Sequence, residues 1–370
     1  MRATLRALTD ILPVPSGHLT EAPPMTHTIS EKNLSRWTTE VVASWGYSEA
    51  DAAYIADTLV DSNLRGIDSH GVMRLTAYRS RITHDLIDPA ATCETTVRGA
   101  TARITADRVA GQLAAREACA TAANLAKELG VAVVTVSQSA HFGAAGYFAR
   151  ELAERGLFSM VMANTEPIVV PFGGRRALLG TNPLAFAAPT ESGVVSVDMA
   201  TSQAAMGKVY SARLSDTPIP RDWGVDDDGQ PTTDPHAVQA LLPAAGPKGY
   251  GLSFFVEMLS GVLSGSAISH GVGNMYNDFD RGQDVGHFIL AISIDEFMPR
   301  TEFEARAESL IALAHGTEPV SADRPVLVPG EPELLTAATR REEGIPLSDE
   351  VVEELTALGA ATGVPWPQAG

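Results

Sequence analysis

The amino-acid sequence predicts an α/β fold in which a sheet domain is inserted between two helical segments. Apolar residues recur at helical spacing over residues 30–86, and short β-branched runs alternate with helical segments over 101–265. Helical spacing returns after residue 302. We therefore expect a helical domain built from residues 25–100 and 266–370, with its two parts packed together, and an α/β domain over residues 101–265.

The N-terminal helical pattern begins at Ser30, whose hydroxyl can accept a hydrogen bond from a free backbone N–H group of the first turn. Apolar residues such as Trp37, Val41 and Trp45 follow at helical spacing. Residues 1–24 precede this pattern and contain no apolar run long enough for a signal or membrane segment. We expect them to form a poorly ordered extension.

The central and C-terminal segments are assigned from their density of β-branched residues and from their periodicity. Strands are predicted at residues 102–106, 130–136, 158–163, 194–198 and 287–292. Helices are predicted at residues 111–127, 144–155, 250–263, 302–315 and 348–358.

The composition restricts the possible partners. The chain has 27 Lys+Arg against 45 Asp+Glu and a formal net charge of -18, which repels nucleic acid and anionic membrane surfaces. An anionic ligand therefore needs local positive charge, so isolated basic residues in apolar, glycine-rich segments are informative. Two cysteines without metal-ligand spacing suit a reducing compartment, and we expect a cytoplasmic protein.

His141 follows a predicted buried strand and precedes a predicted helix. In α/β proteins catalytic groups are often found at the carboxyl ends of strands. An imidazole titrates near neutrality, so it can take a hydroxyl proton and return it in the reverse reaction. Taken alone, this pattern is equally typical of a structural histidine in a turn.

A second segment, residues 64–78, concentrates Ser69, His70, Arg74 and Tyr78. If a helix begins at Gly71, Arg74 and Tyr78 share one face and can converge on a carboxylate. His70 is a second candidate base. The alternative interpretation is an ordinary capped helix with surface charge.

Two further segments, residues 171–174 and 179–184, are rich in glycine and proline. Their glycines can let a ligand approach the backbone closely, or the two segments can be structural turns. Lys248 lies among glycines at the start of a predicted helix, a pattern that favours anion binding. No G-x-G-x-x-G motif opens a βαβ unit, so a Rossmann domain is not predicted. No metal site is predicted, because His70 and His141 lack a third ligand at suitable spacing.

Several of these segments together resemble the malate/L-lactate dehydrogenase-like family, which is unrelated to the Rossmann lactate dehydrogenases. The resemblance starts near Thr26 and extends to the C-terminus. Within the family, residues 219–252 and 275–279 are most similar to the ureidoglycolate-oxidising branch. The motifs that carry the resemblance are R-G-I-D-S-H-G-V-M-R at 65–74, H-F-G-A-A-G-Y-F at 141–148, P-F-G-G at 171–174, G-T-N-P-L-A-F-A-A-P at 180–189 and D-M-A-T at 198–201.

The resemblance implies a homodimer with a non-Rossmann, NAD- or NADP-binding α/β domain inserted into the helical domain. It implies that His141 is the proton acceptor, and we assign Ser69, His70, Arg74 and Tyr78 to the substrate and nicotinamide side of the pocket. Pro332 departs from the acidic residue expected beside Gly330 and Glu331. The cofactor-binding positions implied or assigned are Thr165, Asn182, Asp198, Met199, Ala200, Lys248, Gly330 and Glu331.

The activity implied is hydride transfer between C2 of a small 2-hydroxy acid and NAD or NADP. Conversion of ureidoglycolate to oxalurate is the preferred pair. Malate, lactate, sulfolactate and diketogulonate stay open as substrates, because they share the carboxylate and differ only in a distal group. Reduction of a cyclic imino acid is a related alternative, and an inactive dinucleotide-binding protein is the non-enzymatic one.

Overall fold

A computed structural model describes residues 27–321 and 323–367. The extension predicted at residues 1–24 lies outside the described residues. Ten helices are described within those ranges: α1 Glu31–Ala43, α2 Glu49–Leu64, α3 Leu75–Thr83, α4 Gly111–Leu129, α5 Ala145–Glu154, α6 Met206–Leu214, α7 Pro247–Glu257, α8 Arg300–His315, α9 Glu331–Glu343 and α10 Asp349–Thr362.

The strands form three sheets. Their bounds are β1 His27–Ile29, β2 Glu94–Arg98, β3 Thr101–Thr105, β4 Val131–Ser139, β5 Leu157–Ala163, β6 Leu184–Thr190, β7 Gly193–Met199, β8 Gly224–Val225, β9 Pro231–Thr232, β10 Ala240–Leu241, β11 Val285–Ser293 and β12 Ile345–Leu347. The α/β fold class predicted from the sequence is confirmed.

The central sheet has seven strands in the order β2-β3-β4-β11-β5-β6-β7. Strands β3 and β4 run parallel, and the other neighbouring pairs of this sheet run antiparallel. A Rossmann sheet is parallel, so this topology agrees with the missing glycine fingerprint. Helix α4 packs on β4 and β11, and helix α5 packs on β5, β6 and β7.

One predicted boundary needs correction. The division at residue 265 placed β11 in the C-terminal part of the helical domain, whereas β11 lies between β4 and β5 in the middle of the sheet. Its residue Ile289 is opposite Val134 on one side and Val161 on the other, and all three are fully buried. The strand itself was predicted, but its pairing partners are more than a hundred residues away in sequence and are invisible to local patterning.

The N-terminal and C-terminal helical parts of the described residues pack together, as the sequence predicted. Strand β1 pairs antiparallel with β12, and the indole N–H of Trp37 donates to the carbonyl of Val364 at 3.1 Å. The ring of Trp37 also meets Trp366 edge to face at 4.6 Å. Ser30 caps α1 by accepting a hydrogen bond from the Asn33 N–H. Both halves of the helical domain therefore share one core.

Across residues 27–321 and 323–367, none of the helices is long and apolar enough to cross a membrane.

Candidate active site

His141 lies in the turn between β4 and α5, at the carboxyl end of the strand. Its backbone N–H donates to the side-chain oxygen of Gln283 at 3.1 Å, and Gln283 lies two residues before the start of β11. The next ring, Phe142, stacks on the buried His287 of β11 at 4.4 Å. These two contacts hold the turn against β11, the central strand of the sheet. The imidazole of His141 is half-buried.

The phenol of Tyr78 lies 2.8 Å from Nδ1 of His141. Tyr78 belongs to α3 and is buried. Burial is the main cause that raises the pKa of this phenol, so its proton stays bound at neutral pH. The charge of Arg74, followed by the side chain of Gln112, opposes that rise. Helix α3 and the turn after β4 thus form one hydrogen-bonded unit.

His70 stacks on His141, with ring centroids 5.6 Å apart and an interplanar angle of 23°. Its Nδ1 lies 2.9 Å from the hydroxyl of Ser69. Burial, followed by the nearby charge of Arg74, lowers the pKa of His70 to about 4. Burial, followed by the charge of Arg74, also lowers the pKa of His141 well below its usual value. Both imidazoles are therefore neutral at pH 7.

Arg74 supplies positive charge to the two imidazoles. Its Nε donates to the Ser69 carbonyl at 2.6 Å, and its guanidinium lies 5.5 Å from the ring centroid of Tyr276. Within residues 27–321 and 323–367, Arg74 forms no ion pair with a carboxylate. Burial lowers the pKa of Arg74, while Tyr78 and Glu166 raise it. A half-buried guanidinium without a direct counter-ion is suited to bind an anion.

The helix predicted to begin at Gly71 begins instead at Leu75, after 3₁₀ turns at Asp68–His70 and Val72–Arg74. The cause is a close contact between Gly71 and α2. A Cβ on Gly71 would lie 2.1 Å from the side-chain oxygen of Asn63, and that oxygen accepts the Val72 N–H at 2.9 Å. The charge of Arg74 nevertheless acts on Tyr78 and lowers the pKa of its phenol against the effect of burial.

The sequence analysis missed Glu166. This residue lies three positions after the end of β5, much as His141 lies two positions after the end of β4. Burial raises the pKa of its carboxyl, and the charge of Arg74 opposes that rise. A carboxyl between a buried strand and a proline, as in the T-E-P sequence at residues 165–167, was the available signal.

Thr165 is held in place by two neighbours. Its backbone N–H donates to the side-chain oxygen of Asn182 at 3.1 Å, and its hydroxyl accepts the Thr181 N–H at 3.0 Å. Asn182 is completely buried, and its amide nitrogen donates to the Ser253 carbonyl and to Glu257. The side chain of Asn182 therefore has no exposed atom for a ligand, in contrast to its predicted role as a cofactor contact, and it positions Thr165.

Asp198 lies near the end of β7, where its carboxylate accepts the Gly146 N–H in the first turn of α5 at 2.7 Å. A Cβ on Gly146 would lie 2.8 Å from Asp198, so this approach requires glycine. Desolvation of the carboxylate raises the pKa of Asp198, while the hydrogen bond from Gly146 and the charge of Arg150 lower it. Asp198 and Met199 keep an exposed surface, and Ala200 is half-buried.

Lys248 belongs to the same edge of the sheet. The Thr201 N–H donates to the Thr181 carbonyl at 2.8 Å, and the Ala244 N–H donates to the Thr201 carbonyl at 2.9 Å. These bonds connect the loop of Thr165 to the end of β7 and to the loop that leads into α7. Lys248 lies in the first turn of α7, at the helix start that was predicted, and its side chain is exposed.

Gly330 precedes α9 with a φ of 94°, in the left-handed region that favours glycine. It packs against Ser196 of β7, because a Cβ there would lie 2.9 Å from the serine hydroxyl. Glu331 accepts the Val328 N–H at 2.8 Å and contacts His315, so its carboxylate stabilises the loop. The start of α9 therefore lies beside the strand that carries Asp198.

No cluster of three or more metal-ligating side chains occurs in residues 27–321 and 323–367.

Comparison with known proteins identifies relatives along nearly the whole chain. The chain is 38% identical to a ureidoglycolate dehydrogenase (NAD(+)) of Escherichia coli O157:H7, over 88% of this chain and 94% of that protein. It is 35% identical to a malate dehydrogenase of Pyrococcus horikoshii, over 91% and 96%. The structure matches a sulfolactate dehydrogenase from Methanocaldococcus jannaschii with a TM-score of 0.86 and 32% identity, covering 92% of this chain and 98% of the other.

A family model described as malate/L-lactate dehydrogenase matches residues 29–356. The fold, the ordered motifs and these relatives agree, and the chain belongs to the malate/L-lactate dehydrogenase family.

Proposed function

We propose that this protein is an NAD- or NADP-dependent dehydrogenase of a small 2-hydroxy acid, with ureidoglycolate to oxalurate as the preferred pair. One observation supports this most directly: the neutral imidazole of His141 stacks on His70, and the Arg74 guanidinium, bonded to the carbonyl of the adjacent Ser69, has no direct counter-ion among the described residues. A base beside an anion anchor is what oxidation of a hydroxyl next to a carboxylate requires.

Arg74 binds the substrate carboxylate. Because its Nε is committed to the Ser69 carbonyl, the two terminal nitrogens remain for a bidentate pair. This contact orients the neighbouring carbinol toward His141. The ring of His70 stacks on the imidazole of His141. Because its pKa is lowered to about 4, His70 is neutral at pH 7 and adds no positive charge to the site.

His141 takes the hydroxyl proton. Its Nδ1 lies 2.8 Å from the Tyr78 phenol oxygen and 3.4 Å from the Gly143 N–H. At the shorter of these two contacts a proton on Nδ1 can be donated to the phenol oxygen. That tautomer leaves Nε2 as the acceptor for the substrate proton. In the reverse reaction the protonated imidazole returns the proton to the substrate oxygen.

The residues at the neighbouring edge fit a nicotinamide dinucleotide. The carboxylate of Asp198 can accept hydrogen bonds from ribose hydroxyls, and the exposed ammonium of Lys248 at a helix start can pair with phosphate. Thr165 and the chain at Met199 and Ala200 line the same edge. NAD(P)+ bound there supplies the acceptor for the hydride from C2.

We further propose that the protein acts as a homodimer. Helix α7 and the π-helical turn Met258–Val262 expose a run of large apolar side chains. An apolar patch of this kind on a soluble enzyme is typical of a subunit interface. The residues concerned are Leu252, Phe254, Phe255, Met258, Val262 and Leu263.

The test of the proposed activity is a spectrophotometric screen that follows the reduced nicotinamide. Ureidoglycolate, malate, lactate and sulfolactate are offered with NAD and with NADP, and cyclic imino acids are offered in the reductive direction. We expect turnover of 2-hydroxy acids, fastest with ureidoglycolate. Absence of turnover with every compound, while the dinucleotide still binds, would favour an inactive dinucleotide-binding protein.

A further inference from the structure

One loop, residues 273–283, contacts two of the site residues. Near its start, the ring centroid of Tyr276 lies 5.5 Å from the guanidinium carbon of Arg74. At its end, the side-chain oxygen of Gln283 accepts the His141 N–H at 3.1 Å. The loop therefore lies against the residue that we assign to the substrate carboxylate and against the residue that we assign to the hydroxyl proton.

The base of this loop is closed. The Gly273 N–H donates to the Gln283 carbonyl at 2.9 Å, so the two ends of the loop meet. The side chains of Met275 and Gln283 are buried. A compact loop with joined ends, packed by its own side chains, is typical of an Ω-loop, and such loops often carry function. The base of the loop, and with it the bond to His141, is fixed by these contacts.

The middle of the loop is held by a buried side chain of α3, Arg81, which is 1% exposed. Its Nη2 donates to the Arg281 carbonyl at 2.9 Å, and its Nη1 donates to the Asn274 carbonyl at 3.4 Å and to the Asp278 carbonyl. These carbonyls lie on both sides of Tyr276 in the sequence. Arg81 therefore fixes the backbone segment that carries the Tyr276 ring.

Further contacts of the loop support the same arrangement. Oδ1 of Asn274 accepts the Tyr276 N–H at 2.8 Å and the Asn277 N–H at 3.2 Å. Phe279 stacks on His84, which directly follows α3, with ring centroids 4.2 Å apart. The ring of Tyr276 itself is 53% exposed, so it can be substituted without opening the core.

We propose that Arg81 is a positioning residue for substrate binding, which acts through Tyr276 on Arg74. The face of an aromatic ring attracts a guanidinium, so the Tyr276 ring restricts the orientations open to Arg74 and covers part of it from water. The bond from Nε to the Ser69 carbonyl restricts it further and leaves the terminal nitrogens for a carboxylate. The inference rests on the proposed dehydrogenase function, in which Arg74 binds the substrate carboxylate.

The kinetic test compares Arg81→Lys and Tyr276→Ala, using the 2-hydroxy acid that the protein oxidises fastest. An ammonium cannot serve the three carbonyls as a planar guanidinium does, so Arg81→Lys releases the loop while keeping the charge. In both variants KM for the acid should rise about two- to fivefold, the range of one cation–π contact at an exposed site. The change in kcat should be smaller, because the closed base of the loop still holds His141.

Two further variants test whether Arg81 acts through the Tyr276 ring. In the double variant of Arg81→Lys and Tyr276→Ala, KM should rise no further than in the more affected single variant, because both changes remove the same contact. Tyr276→Phe keeps the ring and should keep KM near the wild-type value. An unchanged KM in Tyr276→Ala, or effects on KM that multiply in the double variant, would overturn the proposal.

Matched controls come from α6, where Arg213 and Tyr210 form a similar pair. The Arg213 guanidinium donates to the backbone carbonyls of Pro235 and Val238, and it lies 5.3 Å from the ring centroid of the exposed Tyr210. Arg213→Lys and Tyr210→Ala should leave KM for the acid unchanged. If Arg81 only stabilised the fold, Arg81→Lys would lower the melting temperature and the apparent kcat without raising KM, and that result would refute the positioning role.

Binding of oxamate, an unreactive compound with a carboxylate next to an amide carbonyl, separates this inference from the proposed activity. Titration calorimetry in the presence of reduced cofactor requires no turnover. A Kd raised about two- to fivefold in Arg81→Lys and in Tyr276→Ala, but not in Tyr276→Phe, supports the inference even if no 2-hydroxy acid is oxidised. An unchanged Kd in the first two variants refutes it, even if the protein is an active dehydrogenase. Failure of the wild type to bind oxamate would also refute it, because Arg74 would then not hold a carboxylate.

Discussion

The phenol oxygen of Tyr78 and Nδ1 of His141 are 2.8 Å apart, although the two residues are separated by 63 positions in the sequence. The imidazole comes from the turn after a buried strand, and the phenol comes from a helix of the other domain. Because the second ring nitrogen of a histidine is controlled by the partner of the first, this contact determines which nitrogen can act on the substrate.

Tyr78→Phe should therefore reduce turnover while leaving the fold intact. The substitution keeps the buried ring and removes only the hydroxyl that selects the His141 tautomer. We expect kcat to fall roughly tenfold, in line with the loss of one hydrogen bond of about 1–1.5 kcal/mol. Steady-state kinetics with an unchanged melting temperature checks this. A normal kcat would show that the tautomer is set elsewhere.

His141→Ala should still bind cofactor but lose at least about two orders of magnitude in turnover, the usual contribution of a positioned general base. His70→Ala is the matched comparison, since His70 stacks on the same ring. If the His70 variant were inactive and the His141 variant kept near-normal turnover, the proton acceptor would be His70.

The pH dependence follows from the lowered pKa of His141, whose main cause is burial. In the oxidative direction the imidazole must start neutral, so kcat/KM should stay level through neutrality. It should fall only in acid, below the ordinary histidine range. In the reductive direction the imidazole must start protonated, so kcat/KM should rise as the pH falls. Profiles measured in both directions check the opposite signs, and an oxidative rate that already falls between pH 8 and pH 7 would contradict them.

Arg74→Lys should raise KM for the acid substrate, by about tenfold, because an ammonium cannot form the bidentate pair of a guanidinium with a carboxylate. The effect on kcat should be smaller. Arg175→Lys, at an exposed ion pair with Asp228, provides a control of the same substitution away from the cavity. Equal KM values in the Arg74 variant and the wild type would remove Arg74 from the site.

Lys248→Ala should weaken cofactor binding more than it slows the bound complex, since an ammonium at a glycine-rich helix start is suited to phosphate or ribose. Titration calorimetry with the reduced cofactor should show a Kd higher by about tenfold. Lys127→Ala removes an exposed lysine from α4 and should leave Kd unchanged. A wild-type Kd in the Lys248 variant would refute the assignment.

Protein stability should depend on the buried His287. Burial lowers the pKa of His287 to about 4, against a small opposing effect from the Ala140 backbone. As the pH falls below the pKa that His287 has in the unfolded chain, the unfolded chain binds a proton that the folded protein does not yet bind. Acidification therefore lowers the stability of the folded protein. Between pH 7 and pH 5 this site should cost about 2 kcal/mol of unfolding free energy.

His287→Phe keeps a ring against Phe142 and removes the titration. Urea unfolding at pH 7 and pH 5 should show a smaller loss in this variant than in the wild type. His270→Phe, at an exposed histidine, should behave like the wild type. An identical loss in all three proteins would show that His287 does not contribute to the acid sensitivity.

The sequence located several features because each depends on a short stretch of chain. Ser30 caps α1 through the N–H of a residue three positions later, and His141 follows a strand whose β-branched density is local. The long helix predicted at residues 250–263 was found as α7 followed by a π-helical turn. Strand β6 was missed: its small residues and proline, such as Ala187 and Pro189, carry little β propensity.

The sequence by itself determined the α/β class, the helical ends and the positions of His141 and Lys248 in their local elements. The tertiary structure alone decided that Tyr78 contacts His141, that Asn182 is buried, and that β11 lies in the middle of the sheet. The reason is physical. Periodicity and capping depend on neighbours within a few residues, whereas strand order, burial and the approach of side chains from distant segments depend on how the whole chain packs.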